Sequence, residues 1–152
     1  MTIPVQSAAS SPLDGASLAS VNEDSIRALV HRFYASVQKD ELIGPIFDRE
    51  IASERWPIHL EKMCAFWSSL LLKTRGYEGR PLSPHLRMDE LSDEHFQRWI
   101  KLFRATANEV FEAGDAAAIS LLAERIAHSF RLAIAFHRGE DTTNLKPFVA
   151  SH

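Results

Sequence analysis

At 152 residues, with 45% hydrophobic and 24% charged side chains, the chain has the makeup of one globular domain with a core of its own. A net charge of -3 and a pI near 6.1 lack the basic excess that nucleic acid or an anionic membrane surface would demand of a partner. The one cysteine, Cys64, excludes an internal disulfide and any multi-cysteine metal or iron–sulfur site, and no apolar run approaches the roughly 18 residues of a membrane-spanning helix.

Residues 1–20 contain no Lys or Arg and no continuous apolar stretch, so a secretory signal is not expected there. They read as a mobile polar extension, and a cytoplasmic location is the expectation. Ser20 followed by Glu23 is a capping-box pattern that predicts the start of the first helix. Ile26, Leu29, Val30, Phe33, Tyr34 and Val37 then recur at spacings of three and four, which gathers them on one face. Gly44-Pro45 predicts a break, followed by an irregular stretch from Phe47 to Ser53.

A second helix is expected from about Pro57, with Leu60, Met63, Cys64, Trp67 and Leu71 facing inward and an end at Arg75-Gly76. Tyr77 to Leu91 has two prolines, one glycine and little periodicity, so it reads as loop with one helical turn near His85. Ser92 caps a third helix whose first turn carries Asp93 and Glu94, matching the helix dipole. Its buried stripe is Phe96, Trp99, Ile100, Phe103 and Val110. After a break at Gly114-Asp115, a long fourth helix carries Ile119, Leu122, Ile126, Phe130, Leu132 and Ile134 and runs to about His137, where Arg138-Gly139 stops it. Four substantial helices around one long loop predict an all-α fold of two antiparallel pairs packed across each other. The domain spans 21–138, and 139–152 reads as a polar C-terminal tail.

Along these helices the chain strings Phe33-Tyr34, Trp56-Pro-Ile-His59-Leu60, Phe66-Trp67-Ser-Ser69, Pro84-His85-Leu86 and His95-Phe-Gln-Arg-Trp99. Taken singly, Tyr34 would be a core tyrosine, His59 a boundary histidine, Trp99 core filler and His85 a solvated loop residue. In this order they resemble the group III truncated haemoglobins, from about Ser25 to about Phe136. The Gly-Gly pairs of the other truncated groups are missing. The resemblance implies a globin-like, truncated two-over-two helical sandwich holding haem b, whose iron needs one strong axial ligand.

By that resemblance the ligand is His85, fourteen residues before Trp99 and preceded by Tyr77-Glu-Gly-Arg-Pro81. On context alone His95 competes with it, being set among aromatic residues at a helix start. The distal pocket would be Tyr34, His59 and Trp99. Phe47 matches the phenylalanine that packs on the porphyrin, while Met63, Phe66 and Trp67 match further wall positions. Phe33, Leu82, Leu86, Met88 and Phe96 complete the expected cofactor contacts, with Lys62, Arg80 and Arg87 as partners for the propionates.

Oxygen gains negative charge on ferrous haem and carbon monoxide gains little, so aimed donors would hold oxygen the more tightly. Diatomic gases (oxygen, nitric oxide, carbon monoxide) are therefore the expected ligands. Nitric oxide dioxygenase and peroxidase-like chemistry both occur among relatives, and the residues leave the two open. Turnover would call for a separate reductase, because no Gly-x-Gly-x-x-Gly nucleotide motif is present. A haem-free globin-shaped sensor or interaction domain is the competing reading, and His59 is open between donor, gate and iron ligand. A monomer or weak homodimer is expected.

Overall fold

The computed structural model describes residues 18–73 and 91–139, whose regular elements are all helices. Helix α1, Glu23–Lys39, starts two residues later than the Ser20–Glu23 pattern predicts. Its capping box is formed by Asn22, whose side chain accepts the Ser25 N–H at 2.8 Å, and by Ser25, whose hydroxyl accepts the Asn22 N–H at 2.9 Å. Ser20 is engaged elsewhere. Its N–H and hydroxyl both donate to the buried carboxylate of Asp115, which also accepts the Leu18 N–H at 2.7 Å. The apolar face of α1 is as the spacing predicts, with Ile26, Leu29, Val30, Phe33, Tyr34 and Val37 all buried.

The stretch expected to be irregular beyond Phe47 instead begins inside a seven-residue helix, α2 (Gly44–Glu50). Gly44-Pro45 starts this helix rather than merely interrupting the chain, since proline in a first turn gives up only an N–H that has no intrahelical partner. Gly44 is required by proximity: a Cβ there would lie 2.9 Å from the Val37 carbonyl oxygen and 3.0 Å from that of Gln38. The corner between α1 and α2 is fastened by Asp40. Its carboxylate accepts the N–H groups of Leu42 at 2.9 Å and Ile43 at 3.0 Å, and pairs with Arg98 at 2.7 Å.

A 3-10 turn, Ser53–Arg55, leads into α3 (Trp56–Leu71), again with proline in the first turn. Within α3, Cys64, Trp67 and Leu71 are buried, and Leu60 and Met63 are half-buried against the core. The helix ends at Leu71; the expected end at Arg75-Gly76 lies outside the described residues.

Helix α4, Asp93–Val110, opens with the cap expected of Ser92, and His95 supplies the reciprocal bond by accepting the Ser92 N–H on Nδ1 at 3.0 Å. The next break falls at Phe111–Glu112, earlier than Gly114-Asp115, so both of those residues sit in the first turn of α5 (Ala113–His137). Asp115 is thereby placed where the helix dipole favours a carboxylate. Arg138 and Gly139, with φ of 75°, close α5 as predicted.

Helices α4 and α5 pack together, α3 packs on α1, and α1 bears on α4, giving two pairs in contact through α1. The main core lies between them. Phe33 meets Phe103 at 5.4 Å between ring centroids, and Trp67 meets Phe103 at 5.1 Å. A smaller cluster of Ile46, Leu91, Phe96, Ile100, Ala127 and Ile134 lies between α2, α4 and α5, and Trp99 packs against both. Across the α4–α5 contact, Arg104 pairs with the buried Glu124.

Gly44→Ala forces a methyl against two backbone oxygens and is expected to lower unfolding stability by about 1–3 kcal/mol. Gly114→Ala, with nothing within 4 Å of its added methyl, is expected to leave the urea midpoint unchanged or higher. Equal losses at the two sites would contradict the close approach.

Candidate functional site

Helix α1 carries Tyr34 inward, and the first turn of α3 brings two rings to meet it. The centroids of Tyr34 and His59 are 4.9 Å apart at an interplanar angle of 84°. Trp56, three residues before His59 and so on the same helix face, stands 5.4 Å from it at 89° and 5.8 Å from Tyr34. His59 is only half-buried as a residue, but its Nε2 is shut off from solvent. Tyr34 is a protonated hydroxyl that can donate, and burial pushes the phenol well above the usual tyrosine range, so it stays so in alkaline solution.

Beside this triad lies a small open cleft lined by Ile43, Phe47, Leu91, His95, Phe96, Trp99, Ala127 and Phe130. The two features adjoin through shared rings. Phe47 lies 6.1 Å from Tyr34, and Trp99 lies 5.3 Å from Phe33, which itself touches Tyr34 at 4.8 Å. Most of the cleft wall is aliphatic or aromatic. Such a wall suits a flat apolar group, with hydrogen-bond donors grouped at one edge rather than spread around it.

The structure brings Tyr34 and His59 together and places Phe47, Phe96 and Trp99 in the adjoining wall. Phe33 and Trp67 are buried in the main core, with Met63 and Phe66 half-buried against it, and Lys62 is exposed on α3. The proposed ligand His85 and the positions Arg80, Leu82, Leu86, Arg87 and Met88 lie outside the described residues. The sequence marks Trp56 within the Trp56-Pro-Ile-His59-Leu60 motif but assigns it no site role, although its three-residue spacing to His59 already puts the two side chains on one face. Ile43 and Ala127 in the cleft wall, as ordinary aliphatic residues, carry no signal of their own.

His95, set aside from ligation by the resemblance, combines a cap with a place in the cleft wall. Because its Nδ1 accepts a backbone N–H, the neutral ring carries its proton on Nε2. Cys64 is buried, and that burial raises its thiol above the usual cysteine range, which fits a packing role rather than a reactive one. Among the described residues no helix is long and apolar enough to cross a membrane, and no three His, Cys, Asp or Glu side chains gather as a metal cage.

No family model matches the chain. Among curated proteins it is 36% identical over 113 residues to the group 3 truncated haemoglobin ctb of Campylobacter jejuni, covering 73% of this chain and 89% of that protein. Among solved structures it is similar to the crystal structure of a group III truncated haemoglobin from Campylobacter jejuni, with a TM-score of 0.70 and 35% identity over 75% of this chain and 91% of the other.

The cleft depends on the Asp40 corner, and that corner responds to pH. Burial pushes the Asp40 carboxyl up, but the bonds from the Ile43 N–H, Arg98 and the Leu42 N–H outweigh it and leave the group below the ordinary carboxyl value of 3.8. A depressed folded value contributes stability above the unfolded pKa and loses it as pH falls through the folded one. Asp40→Asn is therefore expected to lower the urea midpoint at pH 7, with the gap to the parent closing as the pH drops below about 4. A gap that stays constant down to pH 3 would count against this assignment.

Proposed function

The chain belongs to the group III truncated haemoglobins, and from that premise we propose that it is a haem protein that binds diatomic gases in the cleft beside Tyr34 and His59. The observation that supports this reading is an apolar, aromatic-walled cleft next to a buried, protonated phenol that is in ring contact with an imidazole and with the cleft residue Phe47. Phe47, Phe96, Phe130 and Trp99 would offer apolar and aromatic surface to a porphyrin. His85 is the proposed axial ligand, supported by the setting Pro84-His85-Leu86, with Lys62, Arg80 and Arg87 proposed for the propionates. Bound haem supplies an iron that takes up a diatomic gas and can exchange electrons.

The remaining chemistry belongs to the chain. Tyr34 would donate from its hydroxyl to a gas held beside it, and its burial keeps the phenol protonated even in alkaline solution. His59 and the Trp99 indole N–H are further donors. With water excluded, each such bond acts in a low dielectric and needs little rearrangement to form. A bond to a charged acceptor contributes about 1.5–3 kcal/mol, so one donor slows oxygen loss roughly tenfold to a hundredfold. We read the protein as one that holds oxygen and nitric oxide rather than ferrying oxygen. Nitric oxide dioxygenation and peroxidase-like turnover are the redox reactions it would support, each with a separate reductase as electron donor.

An absorption spectrum of the purified protein after haem addition, ferric and ferrous, tests this first. A strong Soret band that shifts with carbon monoxide is the expected result, and its absence would leave a haem-free domain of globin shape. Tyr34→Phe is expected to raise the oxygen dissociation rate by about tenfold or more, and that of carbon monoxide distinctly less. Equal effects on both gases, read by stopped-flow mixing, would remove the hydrogen-bond argument.

A further inference from the structure

We propose that Trp56 is a positioning residue that holds the His59 imidazole inward against Tyr34. This rests on the reading of the cleft as a gas-binding haem pocket. Trp56 is 7% exposed, yet Arg55, Pro57 and Ile58 around it are all exposed, so it is the residue that the entry to α3 drives into the interior. Pro57 sets the backbone of that first turn, and the three-residue spacing lays the indole alongside His59. Trp56 belongs to the same buried cluster as Phe33, Trp67 and Phe103, and its ring contacts are to the two polar members of the site, Tyr34 and His59.

The imidazole stands nearly perpendicular to both neighbouring rings, at 84° to Tyr34 and 89° to Trp56. That is the edge-to-face arrangement in which aromatic pairs attract. One neighbour comes from α1 and the other from α3 itself, so the ring is boxed from two directions and Nε2 is kept from water although the residue as a whole is half-exposed. For His59 to swing outward it must leave both rings. Tyr34 alone would leave one side of the box open, because the indole faces the imidazole from its own helix, α3. Trp56 thus acts on the gas through His59, without touching the gas itself.

An edge-to-face pair is worth about 0.5–1.5 kcal/mol, which is about a twofold to tenfold shift in the balance between inward and outward positions. The test uses the haem-loaded protein. Carbon monoxide rebinding after flash photolysis is measured for the parent, Trp56→Met, Trp56→Leu, Trp56→Phe, His59→Ala and the Trp56→Met/His59→Ala double variant. In parallel, carbethoxylation of His59 by diethyl pyrocarbonate is followed by peptide mass mapping. Trp56→Met keeps bulk without a ring and is expected to speed both bimolecular rebinding and His59 modification by about twofold to tenfold. Trp56→Leu carries the same arm if Trp56→Met does not fold, and Trp56→Phe is expected to restore parental values.

The rebinding effect is expected to vanish in the His59→Ala background, as it must if the indole works through the imidazole. Persistence of the effect in the double variant would assign Trp56 to Tyr34 or to general packing and overturn the proposal. Unchanged His59 modification in Trp56→Met would do the same. A parent protein that takes up no haem overturns the gas-binding reading along with it, whereas a normal Soret band with uncoupled variants overturns this inference alone.

Discussion

One carboxylate at the turn out of α1 sets the geometry on which the pocket depends. Asp40 receives two backbone N–H groups from the chain entering α2 and a guanidinium from α4, so a single side chain fixes three elements at once. The residues it governs are adjacent to its partners: Ile43 is one of the N–H donors and lines the cleft, Phe47 follows one turn later, and Trp99 is next to Arg98. A charge this poorly exposed would be costly alone. Here three donors satisfy it, and Gly44 permits the close backbone approach that lets them converge. The α2 and α4 sides of the cleft are therefore tied together by hydrogen bonds outside it, while most of its wall is apolar.

That division of labour continues at the pocket edge. Tyr34 is a neutral phenol, and burial raises it further above the usual tyrosine range, so it can donate without bringing a charge into the interior. Its ring also packs among Phe33, Phe47, Trp56 and His59, which ties the direction of the hydroxyl to the packing of α1 on α3.

The first helix was legible because its stripe is unbroken from Ile26 to Val37 and every member is buried. Helix α2 was not, since seven residues opening on Gly-Pro carry a local signal for a break, and what stabilises them is the fit of Gly44 against the end of α1. The cap at Asn22 was misplaced for a similar reason. Two overlapping capping patterns exist, and the choice falls to Asp115, 95 residues from Ser20. At the site, helical spacing puts Tyr34 and His59 on inward faces but does not bring them together. The meeting of α1 with α3 does that, and only likeness to a family could anticipate it. Trp56 and Phe130 were readable as apolar positions, but which space each one borders is decided by tertiary packing. The His85 segment lies outside the described residues.

The Asp115 carboxylate has a consequence for how the protein is made. It satisfies Leu18 and Ser20, and Ser20 in turn accepts the Glu112 N–H at 3.1 Å. The entry to the first helix is therefore completed by residues that leave the ribosome late. At about 5–20 residues per second, the 95 residues that follow Ser20 take roughly 5 to 20 s to synthesise. During that interval α1 can form on its own local cap while the segment before it lacks its final partner. The nascent chain thus passes through a stage in which the segment before its first helix lacks its final hydrogen-bond partner, and the arrival of Asp115 ends that stage.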